Sequence, residues 1–289
     1  MNEPKYYIVL DVERNFRPYK SHDPLEVVDI GAIKIEASTM RMNGQFSALV
    51  KPSAPLTRHT TKLTGITKQD LIGVDKFPQV MEQFVHFIGE NYTFVSWGKE
   101  DYRFLKQDCE LHGVKCPCLE REKRFDLQKF VFQAYEELFI HTPSLKLAVE
   151  QFALDWEGKQ HRAFADAKNT ANIFLKVCKE KDIYKCYKRN EELVLMKGGV
   201  LTEKAKKKMK RWVFKALKEN EHIPFTWDTF VNSNIWRNIL ERYYIEDKTL
   251  VLLQNYFSTA VKKGERQLRF LTEMEKGSHN KCSNVNLDK

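Results

Sequence analysis

Tyr6-Tyr7-Ile8-Val9-Leu10-Asp11-Val12-Glu13 decides the fold. Five apolar residues form a short β-type run, and it ends in two acids placed two positions apart. Side chains alternate faces along a strand, so the Asp11 and Glu13 carboxylates point the same way. Working outward, Val27–Ile35 and Phe46–Val50 are further β-type stretches, with a turn at Arg41-Met42-Asn43-Gly44 before the second. The expectation is an antiparallel start of three strands.

Helical spacing takes over next. Val80, Met81, Phe84, Val85, Phe87 and Ile88 mark a helix within 77–92, followed by a strand at Thr93–Trp97. Asp101–His112 is helical again, and Gly113 is its stop. Thr142-Pro143 signals another helix start. Ala165–Cys178 is a further helix, with Ala167, Ala171, Phe174 and Leu175 on one side. Strands mixed with packing helices predict an α/β domain over residues 1–183. From residue 184 β alternation disappears. Thr202 can cap a helix reaching Asn220, and two more apolar stripes follow, around Trp236 and Phe257. The reading is a helical accessory domain over 184–276 and a flexible tail over 277–289.

Charge divides the chain in the same way. Residues 1–176 carry 24 Lys/Arg and 24 Asp/Glu, and residues 177–289 carry 24 and 15. The whole excess of +9 therefore belongs to the helical part, which favours a polyanion. Lys207, Arg211, Lys215 and Lys218 share one side of its first helix, a candidate patch for phosphate backbones.

A chain 42% hydrophobic is too apolar for disorder, and its apolar runs are too short to span a bilayer. The segment before Asp11 is too short for a secretory signal. The expectation is a cytoplasmic protein with reduced thiols. Cys109, Cys116 and Cys118 could supply three metal ligands, but no matching His/Cys pair follows.

The chemistry resides in four separated acids. Asp11 and Glu13 end a strand, Asp101 opens a helix after another strand, and Asp166 opens a helix five residues after His161. Alone, each has a bland role as a cap or a solvated charge. Together they are hard oxygen donors suited to Mg²⁺ or Mn²⁺, and clustered carboxylates repel one another without a cation.

The motifs resemble those of the DEDDh 3′-to-5′ exonucleases, the DnaQ-like and RNase T group. Asp11-Val12-Glu13 is similar to the family's first motif and Glu26–Ala32 to its second strand. Leu63-Thr64-Gly65-Ile66-Thr67 is similar to its Leu-Thr-Gly-Ile stretch, and Ser96–Asp101 to its second motif. Ser144 through Gly158, then His161–Ala167 with Asn169 and Ala171, resembles the third. The matches keep family order over roughly residues 5–180. Within the family, the chain looks most like the branch holding small-RNA and histone-RNA exonucleases and the bacterial inhibitors of the sporulation kinase pathway.

The resemblance implies a ribonuclease H-like mixed five-stranded sheet flanked by helices. It implies two Mg²⁺ or Mn²⁺ ions held by Asp11, Glu13, Asp101 and Asp166. His161 would take the proton of the attacking water, apt for a side chain that titrates near neutrality. The product would be a nucleoside 5′-monophosphate from a free 3′ end, with single-stranded RNA favoured and DNA possible. Leu63, Thr64 and Gly65 would meet the terminal bases. Trp97 and Phe104 are candidates for stacking, with core packing the alternative. Arg14 stands where many members place Thr or Ala against the terminal sugar, and the stretch Arg14–Pro24 is longer than in many relatives. Both departures leave open the choice between RNA and DNA. Other readings are a DNA-processing exonuclease and a non-enzymatic regulatory binding protein on an exonuclease fold; the helical part is a candidate surface for a protein partner.

Overall fold

The structure, a computed structural model, describes all residues except 1–3, 18–23, 119, 191, 221–223 and 283–289. Most of the unusual Arg14–Pro24 stretch and the end of the expected tail therefore lie outside the described residues. The chain divides into two compact units, Met1–Lys185 and Cys186–Lys289.

The first unit is built on β1 (Tyr6–Arg14), β2 (Val27–Glu36), β3 (Arg41–Leu49), β4 (Tyr92–Ser96) and β5 (Arg124–Asp126), in sheet order β3-β2-β1-β4-β5. β1 pairs antiparallel with β2 and parallel with β4. The expected three-strand antiparallel start is present. As the central strand, β1 is covered on both faces, hence its unbroken apolar run. Ile8, Leu10 and Val12 point into a core shared with α2 (Phe77–Ile88) and α3 (Glu100–His112), through Phe84 and Leu105 among others. On the other face, Tyr7 meets Phe174 of α6 (Ala163–Glu180) edge-on, centroids 4.9 Å apart. α6 presents Ala163, Ala167 and Ala171, all fully buried, and these small side chains let it lie close to β1 and β2.

Three shorter helices complete the unit: α1 (Arg58–Thr64), α4 (Leu127–Ala134) and α5 (Leu145–Gln151). Their starts are capped by Thr57, Asp126 and Ser144, each accepting a backbone N–H three residues on. Such a cap stabilises a helix by about 1 kcal/mol.

In the second unit, α8 (Glu203–Glu219), capped by Thr202, packs against α11 (Asp247–Cys282). The short helices α7 (Glu192–Leu195), α9 (Trp227–Val231) and α10 (Asn234–Leu240) complete it. Trp212, Phe230, Trp236, Leu253 and Phe257 fill its core. The expected helical part is present, and among the described residues it also holds four two-residue strands: β6 (Arg189–Asn190) with β9 (Tyr243–Tyr244), and β7 (Met196–Lys197) with β8 (Val200–Leu201). Pairings this short carry no periodicity to read. α11 continues through 277–282, into the segment expected as tail. Among the described residues no helix is long and apolar enough to cross a membrane.

Candidate active site

Strand alternation places Asp11 and Glu13 on the α6 face of β1, beyond Tyr7 and Val9. α6 runs back along that face, so its first turn, with Asp166, arrives beside them. α3 supplies Asp101 from its own first turn, and its Oδ1 accepts the Val12 N–H at 3.2 Å. Asp101 is thereby tied to β1 between the two strand acids.

His161 lies in the loop before α6. Its N–H donates to Asp166 Oδ2 at 3.3 Å. Ligand atoms of Glu13, His161 and Asp166 all lie within 4.8 Å of one another. His161 has a left-handed backbone, φ 61°. For a non-glycine residue this costs on the order of 1–3 kcal/mol and persists only where neighbours over-determine it. Here they do. Asn169 Nδ2 donates to the Glu157 and Ala165 carbonyls, 2.8 Å each, and its Oδ1 accepts the Glu157 N–H at 3.0 Å. Gly158 (φ 78°) packs so closely that a Cβ there would lie 2.8 Å from Ala165 Cβ.

A second clamp involves a residue to which the sequence reading gave no role. Asp29, opposite Glu13 on β2, accepts both the Arg162 Nε–H (2.8 Å) and the Ala163 N–H (3.2 Å) on one oxygen, Oδ2. It fixes the start of α6 and the two residues that follow His161. The signal available was an acid on a strand otherwise buried on both faces.

Electrostatically the site is costly without a counter-charge. Burial first, then Asp166, Asp29 and Asp101, push Glu13 up to about 8. Asp101 rises to about 7, mainly through burial, and the Val12 N–H partly offsets it. Asp166 rises to about 6, again through burial first. Asp11 is raised well above its ordinary value by loss of water, then by Asp101 and Glu13. The helix N-termini at Asp101 and Asp166 favour negative charge by only about 0.3–1 kcal/mol each, too little to offset this crowding. Asp166 Oδ1 is buried without a hydrogen-bond partner among the described residues. An orphaned carboxylate oxygen within a cluster of mutually repelling acids fits a divalent cation.

The Leu63–Gly65 stretch ends α1, with Gly65 as its left-handed cap (φ 76°). Thr64 is buried, its hydroxyl donating to Thr60 O and accepting from Ile66 N–H. Leu63 is half-buried. The Lys159 ammonium, from the His161 loop, occupies the space a Gly65 side chain would need. The stretch thus borders that loop.

Arg14 is not brought to the acids. Alternation turns it to the opposite face of β1, where its guanidinium lies 4.2 Å from the Phe104 centroid, 4.0 Å from Asp108, and donates to Leu25 O. Arg14 and Phe104 thus stack on each other. Trp97 is half-buried, its Nε1–H on Pro143 O at 3.3 Å. Cys116 and Cys118 sulfurs lie 3.2 Å apart in the core. Among the described residues the candidate metal group is Glu13, His161 and Asp166, not the thiols.

Residues 8–174 match the family model described as Exonuclease (RNase T). The chain is 32% identical over 178 residues to the DNA polymerase III subunit epsilon of Aquifex aeolicus, covering 60% of this chain and 81% of that one. It is 26% identical over 188 residues to the 3′-5′ exoribonuclease 1 of Mus musculus, covering 61% and 52%. The match thus spans about half the length of the mouse enzyme. The nuclease domain of 3′hExo, a DEDDh family member bound to rAMP, superposes with a TM-score of 0.55 at 22% identity, covering 62% of this chain and 94% of that domain. That likeness extends to the mixed sheet and its flanking helices. On the matched family, which spans more than half of the sequence, the chain belongs to the exonuclease (RNase T) family.

Proposed function

We propose that this protein is a divalent-metal-dependent 3′-to-5′ exonuclease that degrades single-stranded nucleic acid, RNA by preference, to nucleoside 5′-monophosphates. One observation carries the reading: Glu13, His161 and Asp166 converge within 4.8 Å, and Asp101 is anchored to the strand between Asp11 and Glu13.

Asp11, Glu13, Asp101 and Asp166 would hold two Mg²⁺ or Mn²⁺ ions. When bound, such ions acidify water and neutralise charge on the phosphoryl oxygens. The protein's own groups do the rest. His161 accepts the proton of the attacking water, and its loop is held by Asn169 and by Asp166 Oδ2. Leu63 and Gly65 border that loop and would contact the terminal bases, Leu63 with an apolar edge and Gly65 with bare backbone. Trp97 contributes by supporting Pro143 rather than by stacking.

DNA is the second reading, favoured by the Aquifex polymerase subunit, whose length is mostly covered. A panel of 5′-labelled RNA and DNA, single- and double-stranded, with Mg²⁺, Mn²⁺ or EDTA, tests both. Metal-dependent shortening from the 3′ end, fastest on single-stranded RNA, is expected. Fastest shortening of DNA transfers the role to the second reading. No shortening of any strand overturns the proposal.

A further inference from the structure

A cleft of about 640 Å³ opens between α8 and α11 in the second unit. Its walls combine two chemistries. Lys210, Lys263 and Arg266 supply positive charge, and Tyr256 and Phe270 supply aromatic faces. Thr259 and Gln267 add hydrogen-bonding groups.

The helices explain the arrangement. Gly264 of α11 is buried, and a Cβ there would lie 2.7 Å from Leu217 Cδ1 of α8. That close approach seals the seam beside it. The α11 positions 256, 259, 263, 266, 267 and 270 recur at helical spacing, so they form one stripe flanking the seam. The stripe from Tyr256 to Phe270 is about 21 Å long. Lys210, from α8, leans over the Tyr256 ring at 5.7 Å. Phe270 is 60% exposed at the edge of the charged cleft. Among the described residues none of Lys210, Lys263 and Arg266 forms a salt bridge, whereas Lys206, one turn from Lys210, is paired with Glu203. The basic face expected from sequence, Lys207, Arg211, Lys215 and Lys218, is a different one, exposed on α8.

Cations outside any salt bridge beside an exposed aromatic ring are what a single nucleic-acid strand needs. Phosphates take the charges, and an unpaired base stacks on a ring. A duplex keeps its bases inside the stack and offers nothing to Phe270. We propose that the α8–α11 cleft is a second nucleic-acid site, binding a single strand without sequence choice through Lys210, Lys263 and Arg266 and stacking a base on Phe270. It rests on the exonuclease reading only for the choice of nucleic acid as the polyanion.

The test is binding of a fluorescein-labelled 20-nucleotide oligo-U to the full chain in EDTA, followed by anisotropy across a salt series. Phe270→Ala should weaken binding about five-fold or more, and Phe270→Tyr should restore it. The triple variant Lys210→Ala/Lys263→Ala/Arg266→Ala should lower the slope of log K against log salt by about 2. It should also lose more affinity than Lys207→Ala/Arg211→Ala/Lys215→Ala, which removes equal charge. Wild-type affinity in Phe270→Ala, or equal losses in the two triple variants, overturns the cleft. Wild-type protein that binds the strand but releases no monophosphate in Mg²⁺ or Mn²⁺ overturns the exonuclease reading and leaves the cleft standing.

Discussion

Gly31 and Ala163 meet backbone to backbone: a Cβ on Gly31 would lie 2.2 Å from the Ala163 carbonyl carbon. Gly31 is also the strand partner of Asp11. This contact is how α6 comes near enough to deliver Asp166 and the His161 loop to the strand acids. Gly31→Ala must push the start of α6 away. It should destabilise the fold by about 1–3 kcal/mol and reduce kcat by more than the stability loss explains. Thermal melting beside single-turnover hydrolysis checks it. Full activity with an unchanged Tm would remove this contact from the account.

Asp29 acts through Arg162 and Ala163. Asp29→Ala leaves two donors without their acceptor, costing about 1–3 kcal/mol. Asp29→Asn keeps one oxygen for them and should recover most of the Tm. If Asp29 only held the fold, both variants would show losses of activity that track their losses of stability. A positioning role instead predicts that Asp29→Ala lowers kcat at temperatures where the protein is fully folded, with KM nearly unchanged.

The acids make the metal-free protein sensitive to pH. Glu13 stands at about 8, Asp101 at about 7 and Asp166 at about 6. Ordinary unfolded values are about 3.9 for Asp and about 4.3 for Glu. Between the two values the native state holds more protons, so stability is lost as pH rises from about 4 to about 8. Melting in EDTA should show this fall, and Glu13→Gln should flatten it. Metal must displace those protons, so Mg²⁺ or Mn²⁺ should raise Tm more at pH 8 than at pH 5.5. A metal effect independent of pH would contradict the charge assignment.

Arg14 should prove to be a folding residue. Arg14→Ala leaves the buried Asp108, already pushed up to about 6 by burial, with the Val27 N–H but without its cation, and uncovers Phe104. A clear drop in Tm is expected. Arg14→Lys should rescue it poorly, because the planar guanidinium both stacks and donates. Full rescue by lysine would reduce the role to point charge.

The strand acids, His161 and the three-strand start are legible because they lie in local patterns: alternation, helix starts, spacing. The Asp29–Arg162 clamp is not, because its partners are 133 residues apart and only the fold joins them. α1 and β5 escape periodicity because one is seven mostly polar residues and the other three. The alternation that unites Asp11 with Glu13 also sends Arg14 to the other face. In the second unit the basic stripe of α8 is readable, but the cleft depends on Gly264 bringing two helices together.

The most direct measurement follows a 5′-labelled single-stranded RNA incubated with wild-type protein, His161→Ala and Asp11→Asn in Mg²⁺ or Mn²⁺, with product nucleotides identified by chromatography. The account predicts nucleoside 5′-monophosphates and stepwise shortening from the 3′ end by wild-type protein. Loss should be about 100-fold or more in each variant, with folding retained. Undiminished hydrolysis in both variants, or wild-type cleavage that persists in EDTA, would contradict it.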